Sequence, residues 1–507
     1  MEIGLVSDLV LQYLEQRRAG SPLPLKLQLY SALRDAILED RLAPGTQLPP
    51  TRNLAQELGM GRNTVLAAYE QLLAEGYVNG RVGAGTFVAD TLPDQKPLRA
   101  RKQKTATVAP GQLSGRGTES AAGPVQLSRR GAEIAAHADS SKVQHGAFMP
   151  GIPDVAHFPY QIWKRLLGKY LAPENTHMLQ YSSGGYGPLK VALAEYLKVS
   201  RFVDCQPRQI ILLNGTHQAL DLIARMLTDP GDTVWVEDPG YWGARNVFRA
   251  DGLNIVGVPV DEHGIAPADE AWQTPPKLVF VTPSNQYPTG VVLSLARRRA
   301  LIEQANKAGA WIIEDDYDNE LRYHARPLAS LYSLAGSERV IYAGTFSKVL
   351  FPGLRLAYLV VPLSLVDAFT TGNAELYREG RVVEQAALAE FISSGYFASH
   401  IRKMRMIYAE RQRLIRERLA QEFGDKLQLT GGDGGIHLLY YLPDGVDDEA
   451  LCREAMAAGV ILRPLSVYYH DQAQRRPGIM IGYAGVPTEK IAPALDRLVP
   501  VLRRAIG

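Results

Sequence analysis

Cysteine is nearly absent. Cys205 and Cys452 are the only two in 507 residues, and they stand far apart, which excludes a disulfide framework and any thiolate-rich metal cluster. A charge excess is missing as well: 55 Lys and Arg against 53 Asp and Glu leave a net charge of +2. Contact with nucleic acid must therefore come from a local patch. No uninterrupted apolar run approaches bilayer-spanning length. The opening, MEIGLVSDLVLQYLEQRR, carries acids early and lacks the basic start and cleavage site of a secretory leader. The ten histidines are scattered, with no H-E-x-x-H and no Cys/His spacing, which argues against a metal site. These absences predict a soluble cytoplasmic protein with no membrane partner.

What is present is length and apolar content: 46% hydrophobic residues supply ample core, and the chain is too long for one ordinary domain. Three textures follow one another, with no internal repeat. Residues 1–90 alternate short helical patterns with Pro/Gly punctuation. Residues 91–145 turn to Pro, Gly, Ser, Ala and Gln with basic clusters such as LRARKQK, the composition of a flexible linker, which as a coil spans on the order of 40 Å. Residues 146–507 interleave apolar strands (QIILL, TVWVEDP, KLVFVTP, AWIIEDDY, RVIYAGTF) with amphipathic helices, which predicts an open α/β sheet with mostly parallel strands.

In the first zone Leu27, Tyr30, Leu33 and Ile37 recur at helical spacing, and APGTQLPP ends that helix. Thr51 is suited to N-cap a second helix, RNLAQEL, which Gly59 ends. A third, RNTVLAAYEQLLAEG, places Val65, Tyr69, Leu72 and Leu73 on one face. Two short helices about a Gly-containing turn form a helix-turn-helix, whose second helix enters the major groove by its N-terminal residues, here Arg62, Asn63 and Thr64. GYVNGRVGAGTFV then reads as two strands with a Gly-rich turn, a β-wing. The string from LPPTRNLAQELGMGRNTV through EGYVNGRVGAGTFV resembles the winged helix of GntR-type bacterial regulators. The resemblance implies contacts to double-stranded operator DNA from Arg52, Arg62, Asn63 and Thr64, with the wing at Gly83 and Gly85 nearby. Leu66 stands where such regulators often carry another basic residue. The plain alternative is a protein-docking winged helix whose arginines are merely solvated.

In the last zone Lys348, in GTFSKVLFPGLRLAYLV, falls just past the carboxyl end of an apolar strand, the edge where open α/β sheets bind ligands. A lysine forms an imine (Schiff base) with an aldehyde cofactor, and pyridoxal phosphate then needs an acid at its ring nitrogen, phosphate donors and an aromatic partner. Asp315 and Tyr317, two apart at another strand end, suit the ring nitrogen and the phenolic oxygen. Gly215, Thr216 and His217 open a helix after a strand, where free N–H groups suit a phosphate. Thr345 and Ser347 add hydroxyls, Arg355 a forked cation, and Tyr241 a ring to stack. Singly, each has a plain reading as a solvated charge or an ordinary turn.

Their order along the chain, with TPSNQYPTG between the aromatic and the Asp-x-Tyr pair, resembles the fold-type-I aminotransferases over residues 146–507. That resemblance implies a large cofactor subdomain, a smaller C-terminal one, and a homodimer in which Tyr181 reaches the neighbouring subunit's phosphate. Two features depart from it. The Asn-Pro-Thr-Gly loop reads SNQYPTG, so that Asn285 or Tyr287 takes the place at the phenolic oxygen. Met480, in GIMIGYAG, stands where a carboxylate-gripping arginine is expected, with Arg463 as the replacement for effector binding. Elsewhere, GGDGG reads as a strand-entry turn. RKMRMIYAERQRLIRERL reads as an amphipathic helix with a solvated basic face, or alternatively as a DNA-facing one.

Winged helix, linker and aminotransferase-like domain together resemble the MocR/PdxR/GabR subfamily of GntR-type regulators. The resemblance implies a transcription regulator that senses pyridoxal 5'-phosphate or an amine through Lys348 and controls vitamin B6 or amine metabolism genes. An active aminotransferase carrying a DNA-binding domain is the alternative.

Overall fold

Leu29, Leu33 and Ile37 line the buried face of helix α1 (Leu25–Leu38). Leu27 lies outside that arc and is only half-buried. The computed structural model describes residues 6, 10, 24–39, 41–81, 85–89, 127–136, 146–182, 184–323, 329–336, 339–432 and 434–507, and the chain divides into two compact units, Met1–Ala121 and Ala122–Gly507.

The first unit adds α2 (Thr51–Glu57), α3 (Arg62–Ala74) and the strands β1 (Gln47–Leu48), β2 (Val78–Arg81) and β3 (Gly85–Val88). The strands form an antiparallel sheet in the order β1-β3-β2. Thr51 is not a cap but the first residue of α2. Pro50 precedes it in extended geometry, and the Pro50 carbonyl takes the Asn53 and Leu54 amides at 2.9 and 3.0 Å. The paired prolines, with φ fixed, set the boundary that a side-chain cap would otherwise set. On α3 the inward face is Val65, Ala68, Tyr69 and Leu72. Leu73, expected there, is 40% exposed, because the core arc takes Ala68 instead. These residues pack with Val6, Val10, Leu33, Ile37 and Leu54 into one core.

The second unit is built on an eight-stranded sheet in the order β4-β11-β10-β9-β8-β5-β6-β7. Its strands are β4 (Ile210–Leu213), β5 (Thr233–Asp238), β6 (Asn254–Asp261), β7 (Gly264–Ile265), β8 (Leu278–Val281), β9 (Trp311–Asp315), β10 (Val340–Thr345) and β11 (Ala357–Val360). Strands β6, β5, β8, β9 and β10 pair in parallel, and β11 runs antiparallel to both β10 and β4. Both faces are covered, which is why these strands are near-continuous apolar runs. Val234, Val236, Leu278, Phe280 and Ile313 face one core; Trp235, Val279, Val281 and Ile312, one residue out of step, face the other.

Of the stretch read as linker, α4 (Arg129–Ala136) is helical, and Arg130 Nη2 reaches Asp251 Oδ1 at 3.0 Å. Apart from Leu127 and Ser128, the rest of 91–145 lies outside the described residues. The helices used below are α5 (Tyr160–Tyr170), α6 (Gly187–Arg201), α7 (Thr216–Leu227), α8 (Trp242–Ala250), α9 (Leu295–Ala308) and α10 (Leu331–Ala335). After them come α11 (Val366–Tyr377), α12 (Val382–Ser393) and the long α13 (Tyr396–Phe423). The smaller C-terminal part is an antiparallel sheet in the order β12-β13-β15-β14, formed by β12 (Gln428–Thr430), β13 (His437–Tyr441), β14 (Arg463–Pro464) and β15 (Gly478–Gly482).

Helix α13 is amphipathic as expected, with Met404, Tyr408 and Leu419 buried, but its basic residues are not all solvated. Arg411 is 1% exposed. Its guanidinium binds Asp154 Oδ2 at 2.7 Å and Thr488 Oγ1 at 3.2 Å, and donates to the Ala484 carbonyl. The Asp154 amide in turn donates to Tyr408 Oη at 2.7 Å. This buried pair fixes the chain that enters the second unit. Asp154→Ala should strand the guanidinium in the interior and lower the unfolding free energy by about 3–5 kcal/mol, read as a lower urea midpoint at unchanged slope.

Candidate functional site

Two surfaces carry the sequence-predicted residues. In the first unit Gly61, in extended backbone (φ −67°, ψ 138°), caps α3. The first turn then presents Arg62 and Asn63 exposed and Thr64 half-buried, while Arg52 is exposed on α2. Leu66 is 43% exposed on the same helix. Gly85 begins β3 at φ +113°, and a Cβ there would fall 2.9 Å from Gln47 Nε2, so the wing requires glycine at this point. Gly83 lies outside the described residues.

In the second unit the carboxyl ends of the parallel strands assemble the other surface. β9 and β10 pair with Asp315 opposite Ala343. Asp315 ends its strand, and Lys348 follows β10 by three residues. The Lys348 amine donates to the Gly151 carbonyl at 3.0 Å. Burial makes it less basic than usual, against the opposing pull of Asp318 and then Asp315. Asp315 is 5% exposed, and its Oδ1 has no hydrogen-bond partner among the described residues. Tyr317 lies beyond β9 rather than on it, and is buried too. Burial, then the Asp318 charge, keeps its hydroxyl protonated.

The acid run separates by partner. Glu314 accepts the Leu331 and Tyr332 amides, each at 2.9 Å. Asp316 takes Arg201 Nε at 2.7 Å and Tyr342 Oη at 2.6 Å. Asp315 keeps an open acceptor.

Gly215 caps α7 at φ +107°, and a Cβ there would sit 2.5 Å from Arg355 Nη2. Only glycine lets the guanidinium lie against this helix start, where free amides and a cation make an anion cradle. Arg355 itself holds a left-handed backbone, φ +50°. Thr345 Oγ1 and Ser347 Oγ lie 3.2 Å apart. His217 Nε2 meets Tyr241 Oη at 3.0 Å, so the residue expected to stack is braced by the helix start.

The SNQYPTG loop is shaped by Gln286, whose amide reaches Glu237 Oε2 at 3.2 Å and the Pro239 carbonyl at 2.8 Å. Asn285 and Tyr287 go to different neighbours. Asn285 Nδ2 lies 3.3 Å from Tyr317 Oη and 2.7 Å from Asp318 Oδ2. The Tyr287 ring packs edge-on to Tyr241 and Tyr317 at 5.8 and 6.0 Å. Its hydroxyl lies 3.2 Å from Tyr468 Oη and 3.9 Å from Met480 Sδ. Arg463 lies directly across from Met480 in the β14–β15 pair, and its charge acts on Tyr287 and Tyr468. Tyr181 is 91% exposed and does not join this cluster within one chain. Sequence reasoning missed Gly151, Asp318 and the hub position of Tyr287. Asp318 stands two residues beyond the Glu314–Asp316 run, but Gly151 acts through its carbonyl and left no signal.

The arrangement can hold an anion at Gly215–His217 and Arg355, give an acceptor to a buried donor at Asp315, and offer a poorly solvated amine to an electrophilic carbon.

The aminotransferase class I and II family matches residues 165–498, and the gntR family of bacterial regulatory proteins matches residues 25–88. The chain is 40% identical over 477 residues to the probable rhizopine catabolism regulatory protein MocR of Rhizobium meliloti, covering 94% of this chain and 93% of that protein. It is 31% identical to the pyridoxine biosynthesis transcriptional regulator PdxR of Corynebacterium glutamicum, covering 82% and 83%. Among solved structures, the α-aminoadipate aminotransferase LysN of Thermus thermophilus, complexed with N-(5'-phosphopyridoxyl)-L-leucine, superposes with a TM-score of 0.67 at 28% identity, covering 75% of this chain and 97% of that one.

Burial first, then Asp316 and Glu237 against the pull of Lys348, push the Asp315 carboxyl from 3.8 up to about 7. The folded state therefore binds the extra proton. This group's contribution to stability is fully present below 3.8 and is lost as pH rises through about 7. Asp315→Asn should remove that loss, so the ligand-free variant gains on the wild type by up to about 4 kcal/mol between these limits, measured by urea unfolding at stepped pH.

Proposed function

The chain belongs to the MocR/PdxR/GabR subfamily of GntR-type regulators, a winged helix joined to a class I aminotransferase fold, and from that premise we propose that it is a cytoplasmic, homodimeric regulator that senses pyridoxal 5'-phosphate or an amine at Lys348. The observation that carries this reading is a half-buried lysine amine, held by the Gly151 carbonyl and electrostatically coupled to a buried carboxyl with an unfilled acceptor, in one chain with an exposed Arg62–Asn63 helix start.

The residues present fit pyridoxal 5'-phosphate. The orphaned Asp315 Oδ1 suits the ring nitrogen's proton, and the cradle that a Cβ at Gly215 would fill suits the phosphate, with Thr216, His217, Thr345, Ser347 and Arg355 as further donors. Tyr317 and Asn285 would serve the phenolic oxygen, Tyr241 would pack on the ring, and Tyr181 would serve the second subunit's site. The cofactor, when bound, supplies an aldehyde for amines and an electron-withdrawing ring. Arg463 is the residue proposed for an acidic part of the effector, because Met480 offers no charge.

The switch lies in Lys348 itself. With its amine free it donates to the Gly151 carbonyl, tying residues 146–158 to the site; engaged elsewhere, it gives up that bond. Two states of one side chain with different contacts are what a ligand needs in order to shift a population. The DNA-binding face reads operator DNA through Arg52, Arg62, Asn63 and Thr64, with the wing at Gly83 and Gly85. The regulated genes are proposed to belong to vitamin B6 or amine metabolism. The retained Asp315–Lys348 pair also suits an aminotransferase half-reaction; steady turnover of amino-acid and keto-acid pairs would move the reading to an enzyme.

Lys348→Ala should abolish the visible absorption band that added pyridoxal 5'-phosphate develops, together with the cofactor-dependent change in DNA binding; both unchanged would overturn the reading. Arg62→Ala should weaken binding to an operator recovered by genomic footprinting by about 1–3 kcal/mol at fixed salt, read from anisotropy isotherms.

A further inference from the structure

Past β14 the chain leaves its sheet, so the amides that follow need acceptors from elsewhere. Two of them share one carboxylate. The His470 amide donates to Asp238 Oδ1 at 2.7 Å and the Asp471 amide to Asp238 Oδ2 at 2.9 Å. Asp238 ends β5 and is 6% exposed, and nothing in the proposed function uses it. Gly257 on β6 makes room for it, since a Cβ there would fall 2.8 Å from Asp238 Oδ2. The turn and the helix after β5 hold the same run twice more. The Gly240 amide donates to the Tyr468 carbonyl at 3.2 Å, and Arg245 Nη2 to the Val467 carbonyl at 3.5 Å. Just before the run, Ser466 donates its amide and hydroxyl to Asp448 at 3.0 and 2.6 Å. Val467–Asp471 is therefore a strap pinned at both ends, and all four bonds that cross to β5, its turn and α8 go through the strap's main chain.

We propose that Asp238 is a positioning residue for Tyr241: it fastens Val467–Asp471 across the turn after β5, and the fastened strap fixes the ring face that Tyr241 presents to the cofactor site. The inference rests on the reading of Tyr241 as the residue that packs on the cofactor ring. Only Pro239 and Gly240 separate the two residues. The Pro239 carbonyl accepts from Gln286 Nε2 at 2.8 Å while the Gly240 amide is bound to the strap, so the peptide units leading into Tyr241 are held from two sides. The strap also reaches the ring through side chains. Tyr468 Oη lies 3.2 Å from Tyr287 Oη, and the Tyr287 ring stands edge-on to Tyr241 at 5.8 Å. A freed strap leaves the turn held by Gln286 alone and withdraws Tyr468 from Tyr287. A packing residue works only within about 10–20° of its productive orientation, and this turn sets that angle.

The test uses the full-length, cofactor-free chain carrying Asp238→Asn or, as a second route to the same loss, Gly257→Ala. Asparagine keeps the shape and one acceptor but turns an N–H toward the other amide; the alanine methyl crowds the carboxylate out of its place. Amide hydrogen exchange across 466–474 should quicken about tenfold or more. Tetranitromethane should nitrate Tyr241 about threefold faster or more, with Tyr408, buried on α13, unchanged. Exchange unmoved in both folded variants overturns the proposal, as does a freed strap with Tyr241 nitrated at the wild-type rate. An equal rise at Tyr408 also overturns it, because that marks a fold that has merely loosened. With pyridoxal 5'-phosphate added, the induced circular dichroism of the visible band should fall to about half or less per bound cofactor; a dichroism unchanged beside a freed strap overturns the proposal. A wild-type chain that develops no visible band sinks the functional reading alone, since exchange and nitration need no cofactor.

Discussion

Because β9 and β10 lie parallel with Asp315 opposite Ala343, the chain leaves both strands at the same edge of the sheet, and the acid that ends one strand comes to face the lysine that follows the other. Asp315 is buried there and Lys348 half-buried, and burial disfavours the charged form of each. Each makes the other's charge more tolerable, and the helix starts after β4 and β5 bring Gly215 and Tyr241 to the same place. A slip of one residue in this register would turn Asp315 to the opposite face of the sheet, and the remaining donors would surround nothing.

The neighbouring acids show how little residue type alone decides. Glu314, Asp315 and Asp316 follow one another, yet the first is absorbed by the backbone amides at the start of α10 and the third by Arg201 and Tyr342. Alternation along β9 sends Glu314 to the face opposite Asp315, and Asp316, past the strand end, turns to Arg201. A solvated strand end, the plainest reading of such a run, would have left all three exposed; all three are buried.

The segment that enters the second unit is part of the same device. Asp154 is locked by Arg411, and three residues earlier Gly151 offers its carbonyl to Lys348. The lysine is thereby linked to the chain that emerges from the stretch read as linker, of which α4 is anchored by Arg130 to Asp251. What Lys348 Nζ is bonded to therefore bears on how this segment is held.

Much of this was legible in the residues. Strand-length apolar runs with chemistry at their ends located Lys348, Asp315 and the Gly215 turn, and periodicity located the winged helix, because those signals are local and repeat with the geometry of the element. Periodicity misplaced Leu27 and Leu73, since spacing gives a face but not which arc of it the core takes. It also read Arg411 as solvated, since no local pattern reveals a carboxylate 257 residues away. Gly151, Asp318 and the packing of Tyr287 among Tyr241, Tyr317 and Tyr468 belong to the folded chain alone. They are contacts between distant segments, one made by a backbone carbonyl that carries no residue identity. The sequence by itself determined the two kinds of fold and the chemistry available at each strand end. Only the tertiary structure decided which of several identical acids is left with an open acceptor beside the lysine, because that depends on what is packed against each one.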